Sequence, residues 1–123
     1  MQFVAEEFSK LDMENFHARN TIKQYTFIIE NPDYIGSLKA CLSWGNFHIV
    51  ELFVLKEMCH KGIGTALIKH AVSVARQDKA KFVSIKTSYI ATKYFYEKLR
   101  FQLHNTMYSY ASELCFWTLV LKL

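Results

Sequence analysis

The chain predicts one mixed α/β domain: a mixed, mostly antiparallel sheet containing a parallel, splayed pair, with helices on both faces. Three observations predict it. Strand-like runs rich in β-branched and aromatic residues fill the first half from Tyr25 and return at the C-terminal end. Between them, residues 63–78 and 90–99 repeat their apolar side chains with the helical period, and a short strand-like run, 81–87, separates the two. No linker, repeat or low-complexity stretch interrupts the 123 residues, so a single domain spans 1–123.

Composition narrows the class. With 51% apolar and 21% charged residues the chain can bury a core and is not disordered. The formal charge of +4 is spread over scattered lysines with no basic run and no basic stripe among the aromatics, which argues against a nucleic-acid binder. Cys41, Cys59 and Cys115 lack metal-type spacing and are odd in number, so no metal and a reducing compartment are expected. Glu6, Glu7 and Lys10 break any apolar leader, and no segment reaches the roughly 18 apolar residues of a membrane span. The expectation is a cytoplasmic protein with no membrane partner.

In chain order, Val4, Phe8, Leu11 and Phe16 have roughly helical spacing, so residues 3–18 read as an acidic amphipathic helix covering the sheet. Residues 25–30 are a strand by composition, and Asn31, Pro32 and Asp33 supply a turn. A second strand over 35–44 leads through Gly45 and Asn46 to a third over 47–55. That third run is almost continuously apolar and reads as the central strand. Within it His48 and Glu51 have opposite parity and therefore opposite faces. Gly62, Ile63 and Gly64 then open a helix carrying Ile63, Leu67, His70 and Val74 on one side. Glycines at the mouth of a helix that follows a buried strand suit a phosphate: the backbone can approach, and the first N–H groups and the helix dipole face its charge. The strand over 81–87 closes a right-handed crossover with a parallel pair. After the helix over 90–99, residues 101–107 and 115–121 read as a final antiparallel pair.

Two stretches, VLKEMCHKGIGTALI from Val54 and ATKYFYEKLRF from Ala91, make the chain resemble the GNAT superfamily of N-acetyltransferases, small bacterial members above all. The first is similar to the family's acetyl-CoA signature and the second to its Phe-Tyr-x-x-x-Gly-Phe motif. The resemblance implies an acetyl-CoA-dependent transferase that moves an acetyl group directly to a primary amine, with acetyl-CoA as cosubstrate and no metal. It implies that the backbone of Phe53, Val54 and Leu55 pairs with the pantetheine arm. It implies that Cys59, His60, Lys61, Gly62, Ile63, Gly64 and Thr65 cradle the pyrophosphate. Tyr96, which by itself fits a core aromatic, becomes the acid that protonates the departing thiolate. His48 matches the region from which some members draw a general base, and imidazole can serve at neutral pH. A hydrogen-bonded structural histidine is the plainer reading of that position.

The chain departs from the pattern at three places. Cys59 stands for the usual Arg or Gln, His60 for a frequent glycine, and Arg100 for the glycine of the second motif. Arg100 matters if its backbone takes a positive φ, which arginine disfavours. The family's first strand reads as missing or rudimentary, leaving a sheet edge bare or covered by a second copy of the chain in a homodimer. These departures motivate the alternative of a degenerate acyl-CoA-binding or protein-interaction module. The acceptor amine is not legible in the sequence.

Overall fold

The computed structural model describes residues 2–11, 21–30, 32–109 and 114–123. It forms one seven-stranded sheet from β1 (Gln2–Leu11), β2 (Thr21–Glu30), β3 (Tyr34–Ser43), β4 (Asn46–Val54), β5 (Phe82–Thr87), β6 (Gln102–Tyr108) and β7 (Cys115–Lys122). The spatial order is β1-β2-β3-β4-β5-β7-β6, antiparallel throughout except for β4 beside β5. Two helices, α1 (Ile63–Gln77) and α2 (Ile90–Lys98), follow β4 and β5.

The N-terminal segment corrects the sequence reading. Residues 2–11 are strand β1, paired along their whole length with β2 from Gln2↔Glu30 to Leu11↔Thr21. A first strand is therefore present, and the edge formed by β2 is occupied. The helical reading fails because the four-residue step from Val4 to Phe8 is even and fits the strand period as well, while the three-residue step to Leu11 fits the helical period alone. The rest of the expected helix, 12–18, lies outside the described residues.

The hairpin between β3 and β4 turns on Trp44 and Gly45, with φ of 54° and 79°, and Ser43 faces Asn46 across it. Positive φ at both central residues makes this a turn whose twist matches the strands it joins. The loop therefore sits one residue earlier than Gly45-Asn46.

Alternation sorts the sheet into two faces. Tyr25, Phe27 and Ile29 of β2, Leu38 and Ala40 of β3, Phe47 and Ile49 of β4, and Leu119 of β7 are all buried on one side. The core lies between that side and the helices. α1 seats Ile63, Leu67, Ile68, Ala71 and Ala75 against it, and Phe27 meets His70 edge-on at 4.9 Å. α2 packs on the same side, where Lys93 approaches the ring of Trp117. Among the described residues both helices share this face. The other face presents Lys39, Glu51, Phe53 and Lys86 to the surroundings. Tyr25 anchors the far end of α1 by donating its phenol proton to the carboxylate of Asp78. Among the described residues no helix is long and apolar enough to cross a membrane.

Candidate active site: a gap in the sheet beside a helix mouth

The site begins with one extra residue. In β3, Lys39 and Ala40 are consecutive, yet their partners in β4 are Glu51 and Ile49. Val50 is thus a bulge, unopposed and 62% exposed. The parallel ladder to β5 ends at the same point, with Ile49↔Ile85 its last pair. Beyond it β4 runs on to Val54 beside β3 alone, while β5 continues beside β7 to Thr87↔Trp117. The two strands diverge, and a gap opens through the sheet.

The bulge also reverses parity. His48 lies opposite Cys41 and Glu51 opposite Lys39, and Cys41 and Lys39 are two residues apart on β3. His48 and Glu51 therefore project from the same face, contrary to the reading by simple alternation.

The far end of β4 supplies backbone groups to the gap selectively. The Leu55 amide donates to the Ile35 carbonyl at 2.8 Å, so Leu55 is turned toward β3. Phe53 follows it by the ladder's alternation, which leaves the N–H and C=O of Leu52 and Val54 turned to the open side. Of the three residues singled out from the sequence, Val54 turns its backbone groups to the open side, and Phe53 and Leu55 turn theirs to β3. Leu52, which the sequence reading passed over, turns the same way as Val54. Gly36 is needed here because a Cβ on it would stand 2.7 Å from the Phe53 carbonyl oxygen.

After β4 a single 3-10 turn, Lys56–Met58, leads into the glycine loop. Its amides divide in two. The Cys59 amide is already used, donating to the Lys56 carbonyl at 3.3 Å. The Cys59 thiol turns back to the Leu55 carbonyl at 3.5 Å. From His60 to Thr65 none of the six amides donates to a backbone carbonyl among the described residues, and no side chain caps α1. Gly62 caps the helix at φ 79° and His60 takes φ 64°. Two left-handed residues in one short loop turn successive N–H groups to a common side, a geometry that receives anions. Gly64 brings the helix mouth against β4, with the side chains of Leu52 and Phe95 just beyond its Cα.

Tyr96 lies in the core, 1% exposed, between the rings of Phe95 and Phe101. Burial raises its pKa well above the usual phenol value, so the hydroxyl keeps its proton at any physiological pH. Arg100, in the turn after α2, has φ 75°, the conformation that the motif's glycine would take without strain.

On the open face, His48 lines a groove of about 420 Å³ with Lys86, Thr87, Tyr89 and Phe116. A second groove of about 680 Å³ adjoins it through Lys86 and Phe116 and runs along Met107 and Tyr108 of the edge strand. Burial, and then the charge of Lys86, lower the pKa of His48, which favours the neutral ring.

An anion-receptive helix mouth beside a splayed parallel pair, with a titratable ring on the far side, is an arrangement suited to a phosphate-bearing ligand. The sequence profile of the family described as Acetyltransferase (GNAT) domain matches residues 23–103, more than half of the chain, and the chain belongs to that family. Solved structures share the fold. A provisionally assigned streptothricin acetyltransferase from Bacillus anthracis, in complex with acetyl coenzyme A, is 17% identical over 100% of this chain and 98% of its own, with a TM-score of 0.78. An acetyltransferase from Bacillus cereus is 14% identical over 83% and 74%, with a TM-score of 0.76. A Bacillus subtilis acetyltransferase in complex with CoA is 19% identical over 83% and 77%, with a TM-score of 0.67. Among proteins with curated functions, none matches this chain.

Proposed function

We propose that this chain, as one acetyltransferase domain over 1–123, moves the acetyl group of acetyl-CoA directly to the nitrogen of a primary amine. The observation that carries the reading is the run of six amides, His60 to Thr65, that find no backbone acceptor among the described residues, at the mouth of α1 beside the gap. A diphosphate accepts from several preorganised N–H donors at a helix N-terminus, and Lys61 adds charge there. The pantetheine arm then extends along the open edge of β4, pairing with Leu52 and Val54.

The gap joins the helix face, which carries the amides, to the open face, which carries His48. Two substrates can thus enter from opposite sides and meet. The Val54 N–H polarises the thioester carbonyl. The uncharged amine attacks the carbonyl carbon, the C–N bond forms and the C–S bond breaks. His48 and Val54 are six residues apart on β4, on the order of 18–20 Å, so the nitrogen's proton passes to His48 through intervening water, and Tyr96 donates its own to the sulfur. A buried phenol is a weak acid, so this last transfer requires that the thiolate share the same dry surroundings, which raise its basicity as well. Most of the acceleration comes from orientation and from the Val54 donor.

Calorimetric titration with acetyl-CoA tests the reading. Micromolar binding that is lost when Gly62 and Gly64 are replaced by valine supports it; no heat and no melting shift at millimolar ligand sinks it. The burial of Tyr96 favours a second reading, a domain that holds acyl-CoA without turning it over. Binding without acetylation across an amine panel would select it.

A further inference from the structure

Three polar side chains of the β4–β5 pair form a chain on the open face of the sheet. His48 stands opposite Ser84 in the parallel register, and Asn46 is two residues before His48, so all three project to one side. The Ser84 hydroxyl donates to Asn46 Oδ1 at 2.7 Å. A serine has one proton to give. With that proton committed, the oxygen offers a lone pair to His48 Nδ1, 2.9 Å away. The contact is a hydrogen bond only if Nδ1 is the donor. The ring is thereby fixed with its proton on Nδ1 and a free lone pair on Nε2, the edge left for the groove. Ser84 is 4% exposed, so bulk water does not compete for either contact.

We infer that Asn46 and Ser84 are positioning residues that hold His48 in the Nδ1–H tautomer, so that Nε2 is the atom that takes the acceptor's proton. The second clause rests on the acetyltransferase reading of the gap; the first stands without it. The asparagine is what gives the arrangement its direction. Without an acceptor at Asn46 the serine could turn its proton to Nδ1, which would force Nε2 to carry the ring proton and remove the base. Among the described residues, the charged and titratable groups facing His48 are Lys86 from β5, Tyr89 in the shared groove, Cys41 and Lys39 from β3, and Glu51 from its own strand. Lys86 discourages protonation of the resting ring, and Glu51, brought to this face by the bulge, is the one carboxylate among these groups.

The test reads the tautomer directly. Long-range ¹H–¹⁵N correlation spectra of the labelled full chain at pH 8, with His48→Gln used to assign the signal, should show a protonated Nδ1 and a bare Nε2. Ser84→Ala and Asn46→Leu should each move the ring toward Nε2–H, while Ser84→Thr, which keeps the hydroxyl, should retain the native pattern. A wild-type ring protonated on Nε2 overturns the inference, as does a Ser84→Ala ring unchanged from wild type. No acetyl-CoA is present in this experiment, so failure of the transferase reading is seen separately, in the calorimetry. Where turnover is measurable, Ser84→Ala should lower kcat/KM by about tenfold or more and shift the acid limb of its pH profile, with acetyl-CoA affinity unchanged.

Discussion

His48 and Glu51 project from the same face of β4 although three positions separate them. The unopposed Val50 between them absorbs the odd step. The same residue marks where β4 parts from β5, so one insertion both opens the gap and sets which side chains look into it.

Deleting Val50 separates those two effects from folding. Without it, Ile49 and Glu51 become neighbours in regular alternation, and Leu52 and Val54 still face the core side. The strand keeps its apolar pattern and gains a continuous ladder. The melting temperature of the deletion variant should stay within about 5 °C of wild type, while its acetyl-CoA affinity should fall at least about tenfold. Unchanged affinity would mean that the gap does not depend on the bulge.

His60 and Arg100 hold left-handed backbone at φ 64° and 75°. Each non-glycine residue there costs roughly 1–2 kcal/mol, partly offset by the smaller entropy its unfolded chain has to lose. Arg100→Gly and His60→Gly should therefore each stabilise the fold by about 0.5–1 kcal/mol in urea denaturation. His60→Gly should leave the loop amides in place and acetyl-CoA binding within about threefold. A destabilised Arg100→Gly would show that the arginine side chain has contacts worth more than the strain.

Much of this architecture is legible in the sequence, and the misses have physical causes. The run from Phe47 into the glycine loop, the helix from Ile63 and the short strand ending at Thr87 all stand where their apolar residues place them, because each carries one face that packs into the core. Arg100 stands where the second motif has glycine and takes the positive φ that makes the exchange matter. The N-terminal strand was lost because Val4 and Phe8 suit either period. The bulge at Val50 has no local signature, since valine is an ordinary strand residue, and with it went the facing of Glu51. The link from His48 to Ser84 joins residues 36 apart, which only the parallel register brings together.

Tyr96→Phe removes one oxygen from a core aromatic held between Phe95 and Phe101. The aromatic ring, which the substitution keeps, makes the packing contacts, so the variant should melt within about 2 °C of wild type and bind acetyl-CoA equally well. Its kcat should fall by about 100-fold if the hydroxyl protonates sulfur. Equal kcat in the two proteins would remove Tyr96 from the reaction and leave it as packing alone.

Acid should weaken this fold before its carboxylates titrate. Burial lowers the pKa of both His48 and His70, with Lys86 adding to the effect at His48. The unfolded chain thus takes up protons on these rings at a higher pH than the folded chain. Stability rises with pH wherever the unfolded state binds more protons. The contribution of the two rings is fully present above about pH 6.5, the ordinary value for histidine, and is lost progressively as the pH falls below it, down through the lowered folded values. Melting curves taken from pH 8 to pH 5 should be flat to about pH 6.5 and then decline. His48→Gln should flatten part of that decline, and adding His70→Gln should flatten more. The activity profile should have its acid limb below pH 6.5, because the neutral His48 ring persists to lower pH in the folded protein. An acid limb above pH 6.5 would place the essential base on some other group, and a decline in melting temperature untouched by either substitution would place the extra protons elsewhere.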